Sequence, residues 1–251
     1  MEKDRLAHLR AFLKDTIRLQ FDFSQTDQHQ GVPPPPLEKP FDPQARRISL
    51  PTPDAWDGIA SIDLQTAIAG RQSHRRFRPD PLEREELSFL LWATQGIRRQ
   101  AGPGSAYRTV PSAGCRHALE TYLAVFNVAG LEQGVYRYLP VEHELLFEFA
   151  EENLADKVAA GALGQTFCGR GAVTFIWTTI PYRMEWRYGL AAHKVIALDA
   201  GHVCQNLYLA CAAVGAGTCA IAAYHQEGMD QLLRLDGEDE FVVYLAPVGK
   251  I

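Results

Sequence analysis

The segment Arg71-Gln72-Ser73-His74-Arg75-Arg76-Phe77 carries the densest chemistry in the chain. In an extended conformation successive side chains alternate between two faces, so Arg71, Ser73 and Arg75 project together. Two guanidinium groups and a hydroxyl on one face suit a phosphate and the polar edge of a ring. Gly70 lets the backbone turn into this segment. A run of this charge also reads as a plain solvated basic loop. Gly215-Ala216-Gly217-Thr218-Cys219-Ala220 matches Gly-x-Gly-x-x-Ala, but a dinucleotide site with that spacing needs a strand before it and a helix after it. A helical pattern precedes it, so a Rossmann site is rejected. The small residues suggest instead a backbone that approaches a flat ligand closely. The loop from Arg108 to Gly114 has the same character. Arg183 to Gly189 joins aromatic and cationic groups, either as a ligand site or as a stacked surface turn. His193 and His202 lack a third ligand at metal spacing, so no metal is expected. Ser112 has no Gly-x-Ser-x-Gly frame, which argues against a hydrolase triad.

The elements that must position these residues follow from periodicity. Leu6, Leu9, Leu13 and Ile17 predict an amphipathic helix within residues 1–20. Eight of the fifteen prolines lie between Pro33 and Pro53, which excludes helix and central strand there. Residues 21–57 therefore read as an extended arm over the body or a partner, with a disordered linker as the alternative. The expected division is 1–57, helix and Pro-rich arm, and 58–251, a single body. Helices are expected from Ser61 to Gly70, from Asp80 with Pro81 first and Glu83 in a capping box, over 153–163, and over Asp199–Val214. Residues 102–116 read as a loop. Strands are expected over 119–128, Gly134–Leu139, Glu144–Phe149, Ala172–Thr178 and Phe241–Ala246. An adjacent strand pair within a mixed order predicts an α+β class.

The chain has 251 residues, 47% of them hydrophobic and 22% charged, which is globular composition. A net charge of -5 argues against generic affinity for nucleic acid or an anionic membrane. No apolar run approaches the ~20 residues of a spanning helix, and the N-terminus lacks a signal-peptide core. The five cysteines form no Cys-x-x-Cys pair and read as reduced, mostly buried thiols. A cytoplasmic protein is expected.

Several of these segments coincide in order and spacing with one family. They are Arg71-x-Ser73-x-Arg75-x-Phe77, Leu90-Leu91-Trp92-Ala93-Thr94-Gln95-Gly96-Ile97 and Pro111-Ser112-Ala113-Gly114. They continue with Asp199-Ala200-Gly201-His202, Gln205-Asn206-Leu207 and Gly215-x-Gly217-Thr218-Cys219-Ala220-Ile221, and Ile48-Ser49-Leu50-Pro51 precedes them all. From about 48 to 250 the chain resembles the FMN-dependent nitroreductase superfamily, within it the SagB-type azoline (thiazole/oxazole) dehydrogenase branch. The resemblance implies a central, mostly antiparallel sheet flanked by helices, and a homodimer with FMN at its interface and an embracing N-terminal arm. It implies that Arg71, Gln72, Ser73 and Arg75 bind FMN. Arg71 and Ser73 take the phosphate and ribityl side, and Arg75 takes the N1/O2 edge. Pro111, Ser112, Ala113 and Gly114 lie along the ring, the Ala222 and Ala223 backbone approaches N5, and Lys250 is a second phosphate candidate.

The implied activity is two-electron hydride transfer through flavin N5 on a small molecule or modified peptide, with NAD(P)H as a candidate donor. The alternative is a flavin-binding protein without turnover, a sensor or a partner in a peptide-modifying complex. Where broad nitroreductases carry Asn-x-Gln-Pro-Trp, this chain has Cys115-Arg116-His117-Ala118, which favours the azoline branch. That branch places a Lys-Tyr pair on the substrate proton, and the matching residues here are Arg187 and Tyr188. An arginine does not release its proton at neutral pH. Arg187 is therefore expected to bind an anionic or carbonyl group, with Tyr188 as a hydrogen-bond donor or stacking wall.

Overall fold

A computed structural model describes residues 2–102 and 104–251. In chain order the elements are α1 (Glu2–Ala11), β1 (Arg47–Ser49), α2 (Leu64–Gly70), α3 (Arg84–Gln95), β2 (Ile97–Gly102) and β3 (Ser105–Arg108). They continue with β4 (Leu119–Val125), β5 (Gly134–Leu139), β6 (Glu144–Phe149), α4 (Leu154–Gly161), β7 (Val173–Thr179) and α5 (Tyr182–Tyr188). The last are α6 (Ala192–Ala213), β8 (Ala216–Thr218), α7 (Gln226–Leu232) and β9 (Phe241–Lys250). A seven-stranded sheet runs in the order β1-β6-β5-β4-β7-β9-β8, with every named pairing antiparallel, and β2 with β3 forms a separate hairpin. The class is α+β, as expected. No helix among the described residues is long and apolar enough to cross a membrane.

The sheet is buried on both sides, and strand alternation divides its side chains between two cores. Phe175 and Trp177 join Leu87, Leu90 and Leu91 of α3 and Val203 and Leu207 of α6. Ile176, between them, faces the other way and packs with Leu154 and Val158 of α4 and Met229 of α7. Helix α6 is 22 residues long, with Ile196, Ala200, Val203 and Leu207 turned inward. It starts seven residues before the expected Asp199, and the segment 183–189, for which a surface turn was one reading, is mostly the helix α5. Helix α3 starts at Arg84 rather than Asp80, because Leu82 is drawn into pairing: it donates to Asn127 O and accepts from Ala129 N. Glu83 then caps the helix reciprocally with Glu86. Helix α2 is capped by Asp63, not by Ser61. The expected loop over 102–116 contributes instead to the β2–β3 hairpin, and the expected amphipathic helix at the N-terminus leaves Leu6 and Leu9 exposed.

The Pro-rich arm lies over its own chain's sheet. Prolines carry no N–H, so the arm joins the body mainly through carbonyls that accept from buried arginines. Arg108 donates to Leu37 O at 2.8 Å, and Arg137 donates to Lys39 O at 2.7 Å and to Pro40 O at 3.3 Å. Lys39 reaches back with its own donors, its N–H to Glu120 Oε1 at 2.8 Å and its ammonium to Glu240 Oε2 at 2.5 Å. Glu120 is buried, with Arg183 at 2.6 Å and Arg137 at 3.8 Å. Within the arm, β1 pairs with β6 as the edge strand of the main sheet.

Two tests follow from this docking. Glu120→Ala leaves Arg183 and Arg137 buried without their shared partner, so urea denaturation should show a loss of about 3–5 kcal/mol. An unchanged midpoint would show the network to be inert. Burial, and then the side chain of Glu142, push the Glu38 carboxyl from 4.5 up to about 8. The folded chain thus holds a proton that the unfolded chain has lost, so stability is full below about pH 4.5 and falls as pH rises towards 8. Glu38→Gln should flatten this slope and gain about 1 kcal/mol near pH 8 after solvent screening, read as melting temperature against pH. An unchanged slope would remove Glu38 as its cause.

Candidate functional site

Two groups of the expected residues assemble, on different faces of α6. The first starts where α2 ends. Ser73 pairs with Thr218 of β8 as an isolated bridge, and His74 N–H donates to Thr218 O at 2.9 Å, which holds residues 71–75 extended. Gly217 is required there, because a Cβ would lie 2.6 Å from the His74 ring. Tyr208 Oη accepts from Ala220 N–H at 2.8 Å and shares a hydrogen bond with Ser73 Oγ at 2.9 Å. Arg71 lies over the Tyr208 ring at 5.1 Å and Arg75 over Phe167 at 5.8 Å. Neither guanidinium has a carboxylate within salt-bridge distance among the described residues. Gln72 is exposed beside them.

Ala220 leads to Ala222 and Ala223. Among the described residues neither of their N–H groups has a hydrogen-bond partner, while Ala223 O accepts from Gln165 at 3.0 Å. Ala222 lines a cavity of about 470 Å³ with Ala197, Ala200 and Gly201 of α6 and Tyr244 of β9. The Lys250 ammonium is bonded to Glu86 and, at 2.8 Å, to Val214 O.

The second group is the loop Pro111-Ser112-Ala113-Gly114 with α5. Asp199 of α6 receives the Ala113 N–H at 3.3 Å, and burial raises its carboxyl above the usual range. Ser112 Oγ accepts from His117 N–H at 2.9 Å. His117 faces Ala106 O through Nε2 at 3.1 Å, so that nitrogen carries a proton. Burial, and then the charge of Arg108, hold its pKa down to about 3, so the ring is neutral. Gly114 adopts φ +57°, and a Cβ there would lie 2.6 Å from Arg187 Cδ and Nε and 2.7 Å from Tyr188 Oη. The structure thus presses Arg187 and Tyr188 against the loop. Pro111 and Ser112 line a mostly apolar cavity of about 780 Å³ with Trp92, Asn206, Leu209 and Ala210.

At 100° per residue, Asp199, Asn206, Leu209 and Ala210 share one face of α6, while Ala197, Gly201 and Tyr208 share the other. The helix therefore separates the two groups. Tyr208 and Asp199 organise them, yet only Asp199 lay within a segment quoted above, and Tyr208 gave no sign beyond a hydroxyl on an otherwise apolar helix. Among the described residues no cluster of three His, Cys, Asp or Glu could hold a metal ion.

A protein named as a nitroreductase from Methanocaldococcus jannaschii is 32% identical over 192 residues, covering 76% of this chain and 93% of that protein. The trifolitoxin-processing protein TfxB of Rhizobium leguminosarum is 31% identical over 154 residues, which is 60% of this chain and 41% of that one. The crystal structure of a Ralstonia eutropha protein described as a nitroreductase superposes with a TM-score of 0.68 at 28% identity, covering 87% of this chain and 93% of that one. Residues 68–250 match the model of the nitroreductase family, which takes in the Arg71–Arg75 segment, both faces of α6 and the last strand, and the chain belongs to that family.

Proposed function

We infer that this protein is an FMN-dependent oxidoreductase whose site is completed by a second copy of the chain. The observation that carries this reading is the relay from Ser73 through Tyr208 to Ala220. It puts two unneutralised arginines, a fixed hydroxyl and free backbone N–H groups on one side of one chain. That donor set fits FMN: cations for a phosphate, hydroxyls for a ribityl chain, and small residues beside a flat ring. The Thr218 hydroxyl below Ser73 is buried without a partner, a further polar atom held at this spot. FMN bound there supplies two-electron transfer at N5.

Each residue then has a role. Arg71 and Ser73 hold the phosphate and ribityl side. Arg75 lies at the N1 edge, where a fixed cation stabilises negative charge. Ala222 and Ala223 present N–H groups to the N5 edge. Lys250, committed to Glu86, stays outside this set. Pro111–Gly114 cannot reach the same ligand within one chain, because a helix of about 10–12 Å diameter stands between. A second copy supplies that loop, along with Arg187 and Tyr188. The exposed apolar residues Leu64, Ile68 and Leu198 of α2 and α6 are the surface on which two copies meet.

Substrate handling falls to Arg187 and Tyr188. The Arg187 guanidinium binds and orients the substrate while Tyr188 donates or stacks. A small molecule or a modified peptide is the substrate. TfxB, named for processing trifolitoxin, supports the second, and a reduced nicotinamide is the donor class where the substrate is reduced.

The purified protein should carry one FMN per chain as a dimer, seen by flavin absorbance and light scattering. Leu198→Glu, placing a charge in the contact, should give a monomer that has lost its flavin. Colourless wild-type protein that takes up no added FMN would refute the reading. Arg75→Ala should lower the flavin midpoint potential by the equivalent of about 1.5–3 kcal/mol while leaving FMN bound. Lost FMN affinity at an unchanged potential would assign Arg75 to the phosphate.

A further inference from the structure

Arg116 and Arg187 lie close together, both against Gly114, and neither has a carboxylate within salt-bridge distance among the described residues. Two buried arginines of the chain are paired with acids: Arg137 with Glu120 and Glu148, Arg183 with Glu120. Arg116 and Arg187 have neutral partners instead. Arg116 donates to Gly114 O at 3.1 Å and to Gly104 O at 3.0 Å. Arg187 donates to the side-chain oxygen of Gln28 at 3.1 Å, its only hydrogen bond among the described residues. The two cations feel one another: burial first, and then the charge of Arg187, lower the pKa of Arg116. Such repulsion between half-buried guanidinium groups is unfavourable without an anion between them.

The surroundings fix both guanidinium groups in place. Arg116 lies over the Trp186 ring at 5.0 Å and Arg187 over the Tyr188 ring at 5.6 Å. Tyr188 Oη lies beside Gly114, where no Cβ could fit. A guanidinium presents five N–H donors, so most of those on Arg187 are unused. The arm closes over this place, with Gln28 N–H bonded to Trp186 O at 2.9 Å and Trp186 Nε1 bonded to Val32 O at 2.9 Å.

We propose that Arg116 and Arg187 form a binding site for a carboxylate of the organic substrate, and that the Gln28 side-chain oxygen holds that position until the substrate arrives. A carboxylate offers two oxygens to the paired guanidinium forks and neutralises both charges, which a neutral amide oxygen cannot. Tyr188 then lies beside the bound group as a further donor. The reading deepens the role given to Arg187 and rests on the proposed function only in calling the ligand a substrate.

The test is calorimetric titration of the purified full-length protein, its flavin content measured beforehand, with benzoate and with its neutral isostere benzamide. Benzoate should bind at least tenfold more tightly than benzamide. Arg116→Gln and Arg187→Gln should each weaken benzoate binding at least tenfold. Gln28→Glu keeps every cation and supplies a carboxylate from the arm itself, so it should compete with benzoate and weaken it as strongly, without lowering the melting temperature. Equal affinity for benzoate and benzamide, no binding of either, or benzoate binding untouched by Gln28→Glu would overturn the proposal. Inorganic phosphate binding more tightly than benzoate would overturn the choice of carboxylate. Benzoate binding that follows this pattern in protein unable to hold flavin would sink the FMN reading alone.

Discussion

A carboxylate buried among arginines is the interaction on which the remaining architecture depends. Glu120 lies in the middle of the sheet with its charge out of water, so cations and N–H donors must come to it. Arg183 comes from α5, Arg137 from the neighbouring strand and the Lys39 N–H from the arm. Each of these brings its element with it. Arg183 seats α5 at the end of β4, which leaves Arg187 and Tyr188, one turn further on, against Gly114. Lys39 seats the arm, whose earlier residues then cover α5 through Gln28 and Val32. One buried charge thus places a helix and a long irregular segment at the candidate site.

Helix α6 imposes the second constraint. It is apolar on most sides and occupies the centre of the larger core, so both of its remaining faces are available to organise surface groups. One face carries Asp199, which holds the Pro111–Gly114 loop through the Ala113 N–H. The other carries Tyr208, which ties Ser73 to Ala220. A rigid helix with two such anchors holds two groups on opposite sides, and the proposed pairing of two copies would let one ligand meet both.

Two of the buried arginines that join elements, Arg137 and Arg183, are neutralised by acids, whereas Arg108 joins its elements through Leu37 O and the Gln95 side-chain oxygen. Four arginines of the two groups lie on aromatic faces without an acid partner among the described residues: Arg71 on Tyr208, Arg75 on Phe167, Arg116 on Trp186 and Arg187 on Tyr188. An aromatic face orients a guanidinium without cancelling its charge. Cations held in this way remain free to meet an anion.

Local pattern was enough to read the central strands and to single out the Arg71–Arg75 segment as extended. β4, β5, β6, β7 and the start of β9 are apolar or alternating runs bounded by turn residues, and strand alternation put Arg71, Ser73 and Arg75 on one face. The family resemblance, too, lay in short segments whose order survives without any knowledge of contacts. Other elements read as loops because their composition is that of loops. β8 is Ala-Gly-Thr, and the β2–β3 hairpin spans Gly102 and Gly104; both exist because a neighbouring strand accepts their hydrogen bonds. The side taken by the arm, the separation of the half-sites by α6 and the anchors Tyr208, Asp199 and Gln28 belong to tertiary structure alone. Ser73 and Tyr208 are 135 positions apart, Gln28 and Arg187 are 159 apart, and Ala113 and Asp199 are 86 apart. Periodicity acts over a few residues and specifies which face a side chain takes, whereas its partner is chosen by how whole elements pack around the core.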